Sequence, residues 1–207
     1  MTSVPTLLLV TDRTQTGGRP LVDVLAACAH GGIRHILLRE RDLPEPAYQD
    51  LLGAVLDRIG DRATVLARSP SAGVRGCHLS ASMPLPAPRP EIVGRSVHGP
   101  GELRRAAVEG VDYVLAGPYA GSKSKPGYGP ALGPRGIEAL VRTGCAPPVV
   151  AIGGVLPADA PTLAASGAHG MAVMGPLMRA ADPSTLAAEY AYAATAFAQK
   201  PQNEEIA

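Results

Sequence analysis

Short runs of consecutive apolar residues recur along the chain, and most of them end on a glycine or on a polar or charged residue. Apolar runs of this length, without alternation, are typical of strands that are buried on both faces of a parallel sheet. The predicted strands span residues 6–10, 35–38, 63–67, 76–79, 92–97, 113–116, 149–152 and 171–174.

Segments with apolar residues three or four positions apart separate most of these runs and predict helices. In the first segment, Leu21, Val24 and Cys28 share one helical face, and Gly31 follows the last turn. The connection 68–75 is too short for a crossover helix, and the four prolines of residues 80–90 predict a loop. The predicted helices span residues 20–29, 46–59, 102–109, 134–143, 158–166 and 183–199.

Strands that alternate with helices predict right-handed parallel crossovers, and eight such strands close a barrel. We therefore predict a single-domain α/β protein with the (β/α)8 TIM barrel fold. We expect the barrel domain to cover residues 1–199 and residues 200–207 to be a polar, disordered tail. The alternative is an open doubly wound sheet, but no glycine fingerprint for a dinucleotide follows the first strand.

Strands 7 and 8 both end on glycine, at Gly153-Gly154 and at Met174-Gly175. Glycine turns at the carboxyl ends of parallel strands expose backbone N–H groups, and the loops after strands 7 and 8 of a barrel often hold a phosphate. The sequence thus predicts a phosphate site at these two loops. The alternative is that the glycines only permit tight turns from strand to helix.

Composition narrows the choice of partners and of compartment. The chain has 207 residues, a net charge of +1, one Phe, six Tyr and no Trp, which argues against nucleic acid as the partner. No apolar run approaches the roughly 18 residues of a membrane span. The first apolar run is predicted to be the first strand and not part of a signal peptide. Three widely spaced cysteines predict reduced, buried thiols and a cytoplasmic protein.

Charged and polar groups follow several predicted strands and would face the catalytic end of a barrel. Arg39 could hold a carboxylate or phosphate, while Glu40 could orient it or act as a base; the alternative is an ion pair that braces the rim. His98 could carry a proton in both directions, or be a packed rim histidine, and His78 is a weaker candidate. The loop with Ser122, Lys123, Ser124 and Lys125 suits a phosphate or pyrophosphate, or is a solvated surface loop.

Seven of these segments, in this order, resemble the family of thiamine phosphate synthase and the TenI thiazole tautomerase. The resemblance extends from about residue 7 to about residue 183. The matching segments are residues 38–42 (LRERD), 76–79 (GCHL), 94–98 (GRSVH), 112–118 (DYVLAGP), 122–125 (SKSK), 151–154 (AIGG) and 170–174 (GMAVM).

The resemblance implies a (β/α)8 barrel, usually a homodimer, that binds a thiazole phosphate on the loops after strands 7 and 8. The synthase joins this thiazole to a pyrimidine pyrophosphate, with Mg²⁺ and basic residues stabilising the departing pyrophosphate. The tautomerase only moves a proton, and so converts a thiazole-carboxylate phosphate tautomer into the aromatic ring.

Departures from the synthase pattern favour the tautomerase. The synthase has Asn-Asp-Arg after strand 3 where this chain has 67–69 (ARS), and it has an acidic residue after strand 4 where 80–83 (SASM) offers none. Leu37 stands where the synthase has Gln. Both carboxylates that would bind Mg²⁺ in the synthase are therefore absent, and the positions of Asp12 and Asp42 make them poor substitutes. However, Pro118 stands where the tautomerase has a histidine, as it does in synthases.

We therefore predict a metal-independent thiazole tautomerase without a cofactor, in which His98 or Glu40 moves the proton. One alternative is thiamine phosphate synthase, which would need Mg²⁺. Another is a diverged member that acts on a different phosphorylated heterocycle or sugar, or that binds thiamine intermediates without catalysis.

Overall fold

The computed structural model of the chain describes residues 4–123, 127, 129–144 and 146–199. Eight parallel strands form one closed barrel in sequence order, and β1 closes the barrel on β8, with Leu8 beside Ala172. The predicted single-domain (β/α)8 barrel is thereby confirmed. The strands are β1 (Leu7–Val10), β2 (His35–Leu38), β3 (Thr64–Ala67), β4 (Gly76–Leu79), β5 (Ile92–Val97), β6 (Tyr113–Ala116), β7 (Val149–Ile152) and β8 (Gly170–Val173).

Helices pack around the outside of the barrel. The helices are α1 (Leu21–His30), α2 (Glu45–Ile59), α3 (Pro100–Val108), α4 (Gly133–Val141), α5 (Ala160–Ala165), α6 (Gly175–Arg179) and α7 (Pro183–Ala193). Single 3₁₀ turns lie at Arg13–Gln15 and Pro157–Asp159, and a longer one, Ala194–Gln199, continues α7. In the described part of the chain, no helix combines the length and the apolar character needed to cross a membrane.

The short connections before and after β4 lack helices in the described residues, as their sequences predict. No helix separates β3 from β4 or β4 from β5 in the described residues, where the chain is short or rich in proline. Two helices differ from the prediction. The chain forms the five-residue helix α6 directly after β8, and the last predicted helix changes to 3₁₀ geometry at Ala194. The predicted tail, 200–207, lies outside the described residues.

The strands bury both of their faces, which explains their unbroken apolar sequences. In β1, Leu8 and Val10 point into the barrel, whereas Leu7 and Leu9 pack against the surrounding helices. Burial of one such side chain stabilises the fold by about 1.5–3 kcal/mol. The barrel interior is filled by Leu8, Val10, Leu37, Leu66, Ile92, Tyr113, Leu115, Val150 and Ala172.

The first and last helices meet where the outer ring closes. A Cβ atom on Gly31, just after α1, would lie 2.2 Å from the backbone oxygen of Ser184 in α7, so this contact requires glycine.

Cys28 and Cys77 are buried thiols, and burial raises the pKa of Cys28 to about 12 and that of Cys77 to about 11. Cys145 lies outside the described residues.

Candidate active site

A cavity of about 830 Å³ opens at the carboxyl ends of the barrel strands. Its floor is apolar and comes from the barrel interior, while its walls come from the loops after β2, β4, β5, β6, β7 and β8. The cavity is therefore built by the end of the barrel at which this fold usually carries its active site. The floor consists of Val10, Leu115, Ile152 and Ala172.

The charged groups of the lining all have one sign. Arg39, Arg41, Lys123 and Arg179 line the cavity, and no Asp or Glu among the described residues does so. Burial lowers the pKa of the Arg39 guanidinium from its ordinary value, and the neighbouring charge of Arg41 lowers it further. A lining of this kind favours a ligand with several negative charges, because a bound anion offsets the repulsion between the cations.

Gly153 and Gly154, the predicted phosphate loop after β7, both have the left-handed backbone conformation, with φ of +93° and +71°. A Cβ on Gly154 would lie 2.5 Å from the carbonyl oxygen of Gly121, and the N–H of Ala120 donates to the carbonyl oxygen of Gly153 at 2.8 Å. The glycines thus also serve the tight packing of this loop against the loop after β6. The positive φ values and this close packing support the alternative prediction, a tight turn after the strand, and the phosphate role stays a prediction.

The backbone N–H groups at the predicted phosphate site remain available to a ligand. Gly153, Gly154, Met174 and Gly175 all line the cavity. Within the described ranges, none of their four N–H groups donates a hydrogen bond to a protein acceptor. Several N–H groups that converge on one cavity can hold a phosphate, as the sequence predicts.

The predicted lysine and serine loop after β6 lies only partly within the described residues. Ser122 and Lys123 line the same cavity as the glycine loops. Ser124 and Lys125, which we predicted as further phosphate ligands, fall outside the described residues. Their contribution therefore stays a prediction.

Glu40 is buried in the barrel rim and does not line the cavity. Its carboxylate accepts a hydrogen bond of 2.6 Å from the hydroxyl of Thr11, and it accepts the backbone N–H of Arg13 at 3.0 Å. Thr11 in turn accepts the backbone N–H of Arg39 at 3.0 Å. These contacts join the loops after β1 and β2, which favours the bracing role over that of a base.

His98 lies at the carboxyl end of β5, lines the cavity and has a side chain that is 46% exposed. Its Nδ1 lies 3.0 Å from Oε2 of Glu102, which also accepts the backbone N–H of His98 at 2.7 Å. Because a carboxylate can only accept, Nδ1 carries the hydrogen, and Nε2 holds the lone pair when the ring is neutral. This geometry suits a group that takes up a proton.

A second histidine, His78 of β4, is buried at the cavity wall and has hydrogen-bond partners on both ring nitrogens. Nε2 lies 3.0 Å from Oγ of Ser96, and Nδ1 lies 3.2 Å from the hydroxyl of Tyr113. A Cβ on Gly94 would lie 2.2 Å from the Tyr113 ring and 2.5 Å from Nδ1, so only glycine leaves room for the pair. The sequence indicates His78 as a candidate, whereas nothing in the sequence indicates that the hydroxyl of Tyr113 is its partner.

Arg95, which sequence reasoning also missed, is fully buried and holds the loop after β4. Its Nη1 donates to the carbonyl oxygens of Ser80, Ala81 and Met83 at 2.9, 3.2 and 2.7 Å. Its Nη2 lies 2.7 Å from the carboxylate of Glu109. An arginine inside an apolar strand was the available sequence signal, since such a side chain needs buried partners.

Arg68, which occupies a position where the synthase pattern has an acidic residue, fastens the loop after β2. Its Nη1 donates to the carbonyl oxygens of Glu40 and Leu43 at 2.6 and 3.0 Å, and its guanidinium lies 4.0 Å from the centre of the Tyr48 ring. It also pairs with Glu45 at 2.8 Å. Arg68 thus uses its donors within the rim and does not line the cavity.

The described residues do not fit a Mg²⁺ ion. This ion requires oxygen ligands, usually one or two carboxylates. Glu40 is committed to the rim, Asp42 pairs with Arg13, and Asp12 is hydrogen-bonded within its own turn, so that none of the three lines the cavity. No group of three or more His, Cys, Asp or Glu in the described ranges is arranged to hold a metal.

Known proteins resemble the chain over most of its length. A family model described as thiamine monophosphate synthase matches residues 7–177. The thiamine-phosphate synthase of Albidiferax ferrireducens is 36% identical over 198 residues, which cover 87% of this chain and 88% of the relative. That of Anaeromyxobacter dehalogenans is 36% identical over 185 residues, which cover 83% and 82%.

A solved structure has the same fold. Thiamine phosphate pyrophosphorylase from Pyrococcus furiosus superposes with a TM-score of 0.78 over 92% of this chain and 95% of that chain, at 24% identity. At this identity, the likeness concerns the fold alone.

Proposed function

The chain belongs to the family of thiamine phosphate synthase and TenI, and from this membership we propose that it binds a thiazole phosphate in the cavity and acts on it in thiamine biosynthesis. The phosphate lies on the N–H groups of Gly153, Gly154, Met174 and Gly175, and Ser122 approaches it from the loop after β6. Ser124 and Lys125 complete this site in the proposal.

We propose further that the reaction is a metal-independent proton transfer on a thiazole-carboxylate phosphate. The observation that carries this proposal is the lining, which has four cations and no carboxylate among the described residues. A phosphate and a carboxylate together bring about −2.5 to −3 charges at neutral pH, which the cations balance without a metal ion. Arg39, half-buried in the cavity wall, is the cation best shielded from water.

His98 moves the proton in this proposal. Its Nε2 takes a proton from a carbon of the non-aromatic tautomer, and the electron pair of the broken C–H bond enters the ring system. The imidazolium then gives a proton to another carbon of the substrate, so that the net change is an isomerisation. Glu102, at 3.0 Å from Nδ1, accepts the hydrogen of that nitrogen and so orients the ring.

Thiamine phosphate synthase is the second candidate, because the relatives quoted above carry that name. In this case a pyrimidine pyrophosphate would be the second substrate, and the cations of the cavity would bind its phosphates. The names favour this reaction, whereas the donors of the lining favour the proton transfer.

One experiment separates the two candidates. The purified protein is incubated with the thiazole-carboxylate phosphate tautomer and the pyrimidine pyrophosphate, once with Mg²⁺ and once with EDTA. The proton-transfer proposal expects the aromatic thiazole at equal rates in both samples and no thiamine phosphate. Thiamine phosphate that forms only with Mg²⁺ overturns it in favour of the synthase.

A pair of arginine variants tests where the substrate binds. Arg39→Gln removes a cation from the cavity, so we expect the Kd for thiazole phosphate to rise at least about 10-fold. Arg104→Gln removes an exposed cation from α3, outside the cavity, and keeps the same net charge as Arg39→Gln. Equal affinities of the two variants would contradict the proposed site.

The quaternary structure and the compartment stay predictions. The family resemblance implies a homodimer, which sedimentation of the purified protein would test. A cytoplasmic location is the compartment that we expect for an enzyme of this pathway.

A further inference from the structure

Three polar side chains inside the barrel, Tyr113, His78 and Ser96, form a row of hydrogen bonds. Which group donates and which accepts along this row follows from the surroundings of Tyr113. In one arrangement, Tyr113 donates to Nδ1 of His78, and the hydrogen on Nε2 is donated to Oγ of Ser96. In the reverse arrangement, Nδ1 donates to the Tyr113 oxygen. The two distances, 3.2 and 3.0 Å, allow either.

Burial of Tyr113 decides between them. Its side chain is fully buried, and its one hydrogen-bond partner in the described part of the chain is Nδ1 of His78. In the reverse arrangement the Tyr113 hydrogen would have no acceptor there, which is costly inside a barrel. The hydrogen therefore goes to Nδ1, the imidazole carries its own hydrogen on Nε2, and Ser96 accepts that hydrogen.

The hydroxyl hydrogen of Ser96 is then left for another acceptor, and Ser96 lines the cavity together with His98, two residues further along the chain. We propose that Ser96 donates this hydrogen bond to the carboxylate of the substrate, and that His78 and Tyr113 are positioning residues which hold Ser96 as a donor. This inference rests on the proposed function, because the carboxylate belongs to the substrate proposed above.

The hydrogen bond would strengthen during the reaction. When the C–H bond of the ring breaks and His98 takes the proton, the electron pair spreads through the conjugated system that includes the carboxylate. A donor already in place stabilises this charge without reorganising. When the proton returns to another carbon, the charge disappears and no other reactant is consumed.

The row supplies a hydrogen bond and no net proton. Burial lowers the pKa of His78 to about 3, and the charges of Arg39, Arg41 and Arg95 lower it in the same direction. Burial also raises the pKa of Tyr113. Both groups therefore stay neutral at physiological pH, as in enzymes that use a neutral imidazole to polarise a substrate.

The direction of the row can be measured without activity. Protein labelled with ¹⁵N-histidine is examined by NMR between pH 5 and 8, and His78→Gln identifies the signals of His78. We expect a neutral ring with its hydrogen on Nε2 throughout this range, and we expect Tyr113→Phe to lose this preference. A hydrogen on Nδ1, titration within this range or an unchanged preference in Tyr113→Phe overturns the assigned direction.

The contact with the carboxylate is tested with two ligands, thiazole phosphate with and without its carboxylate. Ser96→Ala should weaken binding of the carboxylated ligand at least about 10-fold and that of the other less than about 2-fold. Ser71→Ala, which changes a half-buried serine of the connection after β3, outside the cavity, is the control. In turnover, Ser96→Ala should lower kcat about 100-fold or more, by the same factor at each pH.

The outcomes distinguish this inference from the proposed function. Equal weakening of both ligands by Ser96→Ala overturns the carboxylate contact alone. Failure of the unaltered protein to bind either ligand overturns the proposed function and this contact together.

Discussion

Ser96 of β5 and His98, the first residue after this strand, face the same cavity because successive residues of an extended chain alternate between its two faces. Gly94 continues this face inside the barrel, while Arg95 turns to the helix side. One stretch of chain thus supplies the proposed donor, the proposed proton carrier and the space that the buried histidine needs.

The role of His98 is tested by His98→Ala. We expect kcat for the proton transfer to fall about 10²–10⁴-fold, because the group that takes up the proton is gone, while the circular dichroism spectrum and the unfolding midpoint change little. His30→Ala, at the exposed carboxyl end of α1, is the matched control and should keep its full rate. Full activity of His98→Ala would remove His98 from the mechanism.

Glu40→Gln separates the two roles considered for Glu40. An amide offers one acceptor oxygen where the carboxylate serves both Thr11 and Arg13, so we expect the free energy of unfolding to fall by about 1–3 kcal/mol in urea titrations. Glu138→Gln, in an exposed pair with Arg142, should change it by less than about 1 kcal/mol. Unchanged stability together with lost turnover would instead support the base.

At the scale of elements, the two short connections around β4 are held by arginines instead of helices. Arg95 binds three carbonyl oxygens of the loop after β4, and Arg68, the first residue after β3, links its own connection to two carbonyl oxygens of the loop after β2. The sequence predicts that helices are missing here, because the segments are short or rich in proline. It cannot predict which carbonyl oxygens the guanidinium groups bind, since these oxygens belong to other loops.

The loop after β7 is tested by Gly154→Ala with Gly110→Ala as its control. Both glycines have positive φ, +71° and +65°, so alanine imposes similar backbone strain of about 1 kcal/mol at each. Only Gly154 lies against another loop, whereas a Cβ on Gly110 meets nothing within 4 Å. We expect Gly154→Ala to raise the Kd for thiazole phosphate at least about 10-fold, measured by calorimetry, and Gly110→Ala to leave it unchanged. Equal Kd values would contradict a phosphate site on this loop.

For the whole molecule, the neutral His78 predicts how stability depends on pH. Its pKa is lowered from 6.5 to about 3 by burial and by Arg39, Arg41 and Arg95. Between these two values the unfolded chain binds a proton that the folded protein does not. The free energy of unfolding therefore decreases as the pH falls below about 6.5, by up to about 1.4 kcal/mol per pH unit.

Urea titrations of the unaltered protein and of His78→Gln between pH 7 and pH 4.5 check this expectation. The variant lacks the titrating group, so the stability advantage of the unaltered protein should shrink steadily toward acidic pH. All other groups are shared and cancel in the difference. Parallel pH dependences would contradict the lowered pKa, because they would show that His78 binds a proton equally well in the folded and the unfolded state.

Much of the site follows from the predicted fold. Arg39, His98, Ser122, Gly153, Gly154, Met174 and Gly175 all line one cavity, because the carboxyl ends of parallel strands meet at one end of a barrel. Glu40 is the exception among the described candidates. It is adjacent to Arg39, but its side chain is drawn into the rim by Thr11 and Arg13 of the neighbouring loop.

By itself, the sequence determines the order of strands and helices, the barrel and the glycine turns, because these depend on periodicity and backbone freedom within a few residues. Tertiary structure alone decides that Tyr113 and Ser96 meet His78, since these contacts join residues 35 and 18 positions apart. Only closure of the barrel brings such groups together inside it. Because water is excluded there, the groups stay neutral and each hydrogen bond must be donated to a protein acceptor.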